Sequence, residues 1–295
     1  MSEFHGYPIC TLSNDYLELD CLATAGPRIV RLKYKGSENL LAEVPQITVP
    51  TPLGDYHYLG GHRVWHAPEA LPRSYVPDED GLDVAQQTSS GVVLNGRVES
   101  ATGIQKRIEI HLDRDAPRVH LIHALTNKGL WEVELSPWAI TMCRLGGIAI
   151  LPTRVGEGDA QELLPDRHFA LWPYSHVDDP RLQLHDEFVL IRALPDLPPF
   201  KLGVFNPSGW TAYCVGSLLF RKAFTVQVGP RYPDHNCNAE VYCDDHFVEL
   251  ETLGPLERLA PGASAALRET WEICDLADQH FLSQKMMELI TNSTG

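Results

Sequence analysis

Ile104-Gln105-Lys106-Arg107-Ile108-Glu109-Ile110-His111-Leu112 places an apolar side chain at nearly every second position, and Asp113-Arg114-Asp115-Ala116-Pro117 then breaks the run before Arg118 to Thr126 begins. Period two marks a strand with one buried face, because successive side chains point to opposite sides of a sheet. The segment therefore predicts a β-hairpin. Val30, Leu32 and Tyr34 repeat the pattern against Arg31, Lys33 and Lys35, and Gly36-Ser37 closes that run. A helical period occurs at the C-terminus, where Leu276, Phe281, Met286, Met287 and Leu289 fall near one stripe. The expectation there is an amphipathic helix over 276–291, packed on a sheet edge or on a partner chain, so that an oligomer would form through it. The 22 Pro and 22 Gly are scattered and gather into no linker, and no internal repeat is present. The reading is a single all-β domain over 1–295 with a short C-terminal helix.

The composition, 44% hydrophobic and 21% charged over 295 residues, supports a packed core. A formal net charge of −15 opposes a phosphate backbone, so nucleic acid is excluded as a partner. No apolar run approaches the roughly 20 residues of a membrane-spanning helix. Met1-Ser2-Glu3-Phe4-His5 lacks the basic-then-apolar pattern of a signal peptide, so the expected location is cytoplasmic with no membrane partner. The sequon Asn292-Ser293-Thr294 is discounted on that ground. Seven cysteines without a close CxxC pair read as reduced, mostly buried thiols, with Cys237 and Cys243 the exception to watch.

From Asn238 to Leu253 the chain reads as two strands around Asp244-Asp245, a turn composition. The expected register sets Tyr242 against Phe247, Glu240 against Glu249 and Asn238 against Glu251, with Ala239, Val241, Val248 and Leu250 turned into the core. Like charges facing each other are unfavourable unless a cation, a proton or a ligand hydroxyl intervenes. A solvated outer face is the plain alternative to a ligand-binding one.

Gly60-Gly61-His62-Arg63-Val64-Trp65-His66-Ala67-Pro68-Glu69 concentrates two imidazoles, a guanidinium, an indole and a carboxylate behind two glycines. Glycine lets a backbone approach a ligand, indole offers a flat platform and imidazole exchanges protons near neutrality. These are the parts of a sugar site. His62, His66 and Glu69 also resemble a metal set, although Gly60-Gly61 and Pro68 disfavour the continuous helix that would bring two histidines four apart together. Core packing of Trp65 and one histidine is the third reading. Asp166 to Tyr174, with His168 and Trp172, is a second aromatic stretch that would wall the same cleft or pack as a loop. Trp138 sits in the apolar run from Leu135 to Met142 and reads as core.

On three segments the chain resembles the galactose mutarotase-like superfamily. Gly60 to His66 is similar to the Gly-Gly, Trp-bearing segment of hexose-phosphate mutarotases. Val248-Glu249-Leu250-Glu251-Thr252 resembles the strand that presents the catalytic glutamate of aldose epimerases, and Leu259-Ala260-Pro261-Gly262 with the Trp271 strand resembles their closing hairpin. The resemblance implies a β-supersandwich with a concave carbohydrate cleft, a small sugar as ligand and no cofactor. It implies Glu251 as general base toward the anomeric hydroxyl, with an imidazolium as acid toward the ring oxygen.

The chain departs from the family at that acid: after Asn127-Lys128-Gly129 comes Trp138-Ala139-Ile140-Thr141, without the family's histidine. His66 or His62, or else His168, is expected to replace it. The expected site is then Glu251 with His66 and His62 as catalytic groups, and Arg63, Trp65, Glu69, Asn238, Glu240, Glu249, His168 and Trp172 on the substrate. Loss of the acid also fits a sugar-binding protein without catalysis, and a metal-dependent enzyme built on His62, His66 and a glutamate is the remaining alternative. Arg221-Lys222 and Arg231 are the basic residues that would meet a phosphorylated sugar, with plain surface charge as the commoner reading.

Overall fold

The computed structural model describes residues 2–153, 163 and 165–276. The alternating segment forms the expected hairpin, Ile104–Leu112 against Arg118–Asn127, with Ile110 opposite Leu121. Ile104, Ile108, Ile110 and Leu112 are buried on one face. Lys106 shares their parity, and its buried ammonium pairs with Glu99 at 2.5 Å. A buried charge persists only with such a partner.

Two large antiparallel sheets form. The first runs in the order Glu3–Phe4, Tyr7–Ser13, Leu17–Leu22, Arg28–Tyr34, His62–Ala67, Val133–Arg144, Phe247–Leu253, Ala239–Cys243, Phe200–Val204 and Phe169–Leu171. The second contains the Ile104–Leu112 hairpin, with Leu218–Phe224 and Ser264–Asp275 near its middle. Their facing sides share one core, in which Val64, Val241 and Leu250 of the first sheet meet Leu121, Leu267 and Trp271 of the second. This is an all-β sandwich. Among the described residues the one helix is Pro233–Asn236. The expected helix over 276–291, and the subunit contact assigned to it, lie outside the described residues beyond Leu276. All seven cysteines are free, Cys237 and Cys243 included.

The hairpin at 238–253 forms with a register two residues from the expected one. Glu240 faces Glu251, Tyr242 faces Glu249, and Cys243 faces Val248. Asp244 causes the difference: its Oδ1 accepts from the N–H groups of His246 at 2.8 Å and Phe247 at 3.1 Å, capping a four-residue loop. Because side chains alternate with period two, a slip of two keeps every residue on its expected face. Ala239, Val241, Val248 and Leu250 do enter the core.

Gly60 and Gly61 serve the backbone rather than a ligand. Both have positive φ, 97° and 72°, and a Cβ would strike Ala42 O at Gly60 and Ile29 O at Gly61. Only glycine allows this crossing of three strands.

Candidate functional site

Five neighbouring strands of the first sheet send alternate side chains outward, away from the core. Ile140 stands opposite both Arg63 and Glu251, Glu251 opposite Glu240, and Tyr242 opposite both Glu249 and Lys201. Register thus gathers these groups on one face. Glu69, Tyr75, Trp172 and Tyr174 wall the sides, and the cavity enclosed is about 360 Å³. An aromatic-rich cavity of this size with a few convergent polar groups suits a small molecule.

Lys201 organises the floor. Its Nζ lies 2.8 Å from Glu240 Oε2 and 2.8 Å from Glu251 Oε2, between the rings of Trp138 and Trp172. Burial opposes its charge, but Glu240 and Glu251 outweigh burial and hold the ammonium well above its ordinary pKa. Trp138 Nε1 donates to Glu251 Oε2 at 2.6 Å, whereas Glu251 Oε1 is buried with no hydrogen-bond partner among the described residues. Burial lifts the Glu240 carboxyl well above the usual range, against the pull of Lys201.

Glu249, two residues before Glu251, behaves differently. Arg63 donates to its Oε1 at 2.9 Å while stacking on Trp65 and Tyr58. Burial nevertheless raises the Glu249 carboxyl to about 7, Arg63 pulling it down and Glu251 pushing it up. The hydroxyls of Tyr58, Tyr75, Tyr174 and Tyr242 are all pushed upward, chiefly by burial, and remain neutral. The face therefore presents two carboxyl groups, each with its own cationic partner, Arg63 for Glu249 and Lys201 for Glu251.

No family model matches this sequence and no curated protein matches it. Solved structures do match. A candidate aldose 1-epimerase from Escherichia coli K12 superposes with a TM-score of 0.53 at 14% identity, over 92% of this chain and 100% of its own. A second, from Klebsiella pneumoniae, gives 0.57 at 12% identity, over 100% of this chain and 86% of its own. A galactose mutarotase-like protein from Lactobacillus casei gives 0.53 at 11% identity, over 90% and 100%. The chain has the galactose mutarotase-like fold. At these identities the likeness concerns the fold, and the cleft just described is the outward face of one sheet of that mutarotase-like sandwich.

Of the residues expected at the site, Glu251, Glu249, Arg63, Trp65, Glu69 and Trp172 line the cleft. Glu240 sits behind them against Lys201. Asn238 is elsewhere: its Oδ1 accepts from Asn206 N at 2.6 Å and its Nδ2 donates to Asn206 O at 3.0 Å, bracing a loop. His168 is exposed and is not part of the cavity wall.

His62 and His66 are not at the cleft either, and the reason is parity. In strand His62–Ala67 the residues Arg63 and Trp65 face outward, so His62, Val64 and His66 face the other way. The acid expected on His62 or His66 therefore has no access to the cavity that holds Glu251. His66 accepts at Nδ1 from Arg73 at 3.1 Å and approaches Glu99 at 3.7 Å. His62 lies between the sheets in a directed chain: Lys222 Nζ donates to Thr141 Oγ1 at 2.8 Å, Thr141 to His62 Nδ1 at 2.9 Å, and His62 Nε2 to His123 Nε2 at 2.7 Å. His123 Nδ1 then donates to Leu267 O at 3.2 Å. Burial lowers the pKa of both imidazoles and keeps them neutral, as this chain requires.

The metal set of His62, His66 and a glutamate does not assemble. His62, His123 and Glu269 do converge between the sheets. Two Nε2 atoms 2.7 Å apart are hydrogen-bonded, and Lys222 Nζ, 3.2 Å from Glu269, already compensates that carboxylate. The cluster is a satisfied core network.

Sequence reasoning missed Lys201 and Trp138. Lys201 follows Pro198-Pro199-Phe200 in a stretch with no other polar signal. Trp138 had one usable sign, since outward Trp65 and Trp138 pair directly across the ladder.

Proposed function

We propose that the cleft binds a pyranose sugar and interconverts its anomers by acid–base ring opening. The observation that carries this reading is the pair Glu249 and Glu251 on one face of an aromatic cavity, Glu249 held by Arg63 and Glu251 by Lys201 and Trp138. Glu251, fixed by Lys201 and Trp138, takes the proton of the anomeric hydroxyl. Glu249, a carboxyl that still holds a proton near neutrality, gives it to the ring oxygen as the bond from that oxygen to the anomeric carbon breaks. The aldehyde rotates and the two transfers reverse, which returns both carboxyl groups to their starting states. Each contributes roughly 100- to 10,000-fold where its pKa suits the working pH. The similarity to solved candidate aldose 1-epimerases supports the choice of chemistry. The test is polarimetry on freshly dissolved α-glucose and α-galactose, and an unchanged rate with protein over a panel of aldoses refutes it.

One observation favours sugar binding without catalysis: no histidine lines the cleft among the described residues. Saturable sugar binding, weakened in Glu251→Gln and accompanied by no acceleration, selects this second reading.

A further inference from the structure

The cleft holds more carboxyl groups than cations: Glu69, Asp234, Glu240, Glu249 and Glu251 stand around Arg63 and Lys201, with Glu240 and Glu249 held toward their neutral forms by burial. Arg63 is committed to Glu249, and Lys201 to both Glu240 and Glu251. Glu69 at the rim has the Tyr75 hydroxyl as its hydrogen-bond partner, and Asp234 lies within electrostatic reach of Glu69, Glu240 and Lys201. Glu69, Glu249 and Glu251 line the same cavity as Tyr174. The second independent observation is Glu251 Oε1, an acceptor on a fully buried lining residue with no donor among the described residues.

Resting on the sugar-cleft reading, we infer that this cleft selects a sugar carrying an ammonium substituent, an amino sugar, over neutral sugars and against sugar phosphates. An ammonium adds charge-assisted hydrogen bonds to Glu69, which has no cationic partner among the described residues, and to the open Glu251 Oε1, against aromatic walls that attract positive charge. A phosphate meets the opposite situation, with Glu69 and Glu251 repelling it and both cations already bound. The basic residues that might have received a phosphate lie elsewhere: Lys222 is buried between the sheets, and Arg221 and Arg231 pair with Glu272 and Glu134. A metal ion is a poorer complement than an ammonium, because no three of the cleft carboxylates converge on a point among the described residues.

The experiment is a calorimetric titration of the intact protein near neutral pH with glucose, glucosamine, N-acetylglucosamine and glucose 6-phosphate. Glucosamine is expected to bind about tenfold tighter than glucose. N-acetylglucosamine, which keeps the substituent and removes its charge, loses that advantage, and glucose 6-phosphate binds most weakly. In Glu69→Gln the glucosamine-to-glucose affinity ratio falls. If glucose binds and glucosamine is no tighter, or glucose 6-phosphate matches glucose, the charge inference is overturned while the sugar cleft stands. If none of the four binds, the sugar cleft itself is wrong and the inference falls with it.

Discussion

Glu240 stands directly opposite Glu251 across the antiparallel ladder, and both carboxylates reach the same ammonium, Lys201 Nζ, at 2.8 Å. Two like charges at paired positions would destabilise the hairpin, and here a cation from the next strand answers both. Removing that cation leaves two carboxyl groups in a buried site. Lys201→Met is expected to lower stability by on the order of 3–5 kcal/mol, measured by urea unfolding. The double variant Lys201→Met, Glu240→Gln should recover part of the loss. A single variant as stable as the parent would show that the triad carries no such energy.

Glu249 makes a second prediction through pH. Its folded pKa of about 7 lies above the ordinary 4.5, so between those values the folded state holds a proton that the unfolded state has released. Its contribution is fully present below about pH 4.5 and is lost as pH rises through 7. Glu249→Gln removes this slope. The stability of the variant relative to the parent should therefore rise across the window, by at most a few kcal/mol in all, and parallel pH profiles would contradict the assignment. In the same window kcat/KM should fall as Glu249 loses the proton it donates.

His62 is predicted to matter for folding and not for the sugar. His62→Ala strands Thr141 and His123 in the core and should cost about 2–4 kcal/mol. Because burial lowers the pKa of His62 and His123 below 6.5, their contribution is intact above that pH and is lost as pH falls. A sugar affinity unchanged in folded His62→Gln agrees with the parity of the strand. A selective loss of affinity at unchanged stability would place the imidazole at the ligand instead.

Gly61→Ala tests the reading of the glycine pair. Positive φ and the collision with Ile29 O predict a loss above about 1 kcal/mol, seen as a lower thermal midpoint, with no role for the ligand. A neutral substitution would return the glycine to the candidate ligand contacts.

Much of the site was legible because period two is robust. The sequence put Glu249, Glu251, Tyr242 and Phe247 on one outward face, and the two-residue error in register left that face intact. The same rule, applied inside Gly60 to Glu69, separates Arg63 and Trp65 from His62 and His66. Treating that segment as one chemical unit hid the division. Lys201 was invisible for a different reason, since a lone lysine after two prolines has meaning only once the ladder sets Tyr242 beside it. Trp138 read as core because its neighbours are apolar, although it is buried on the cleft side of its own sheet.

The most direct test of the account is the rate at which fresh α-glucose, α-galactose and α-glucosamine reach their anomeric equilibrium, followed by polarimetry with the parent protein and with Glu251→Gln. Acceleration by the parent and a drop of about 100-fold or more in the variant are expected. No acceleration of any of the three sugars, or equal acceleration by parent and variant, would contradict it.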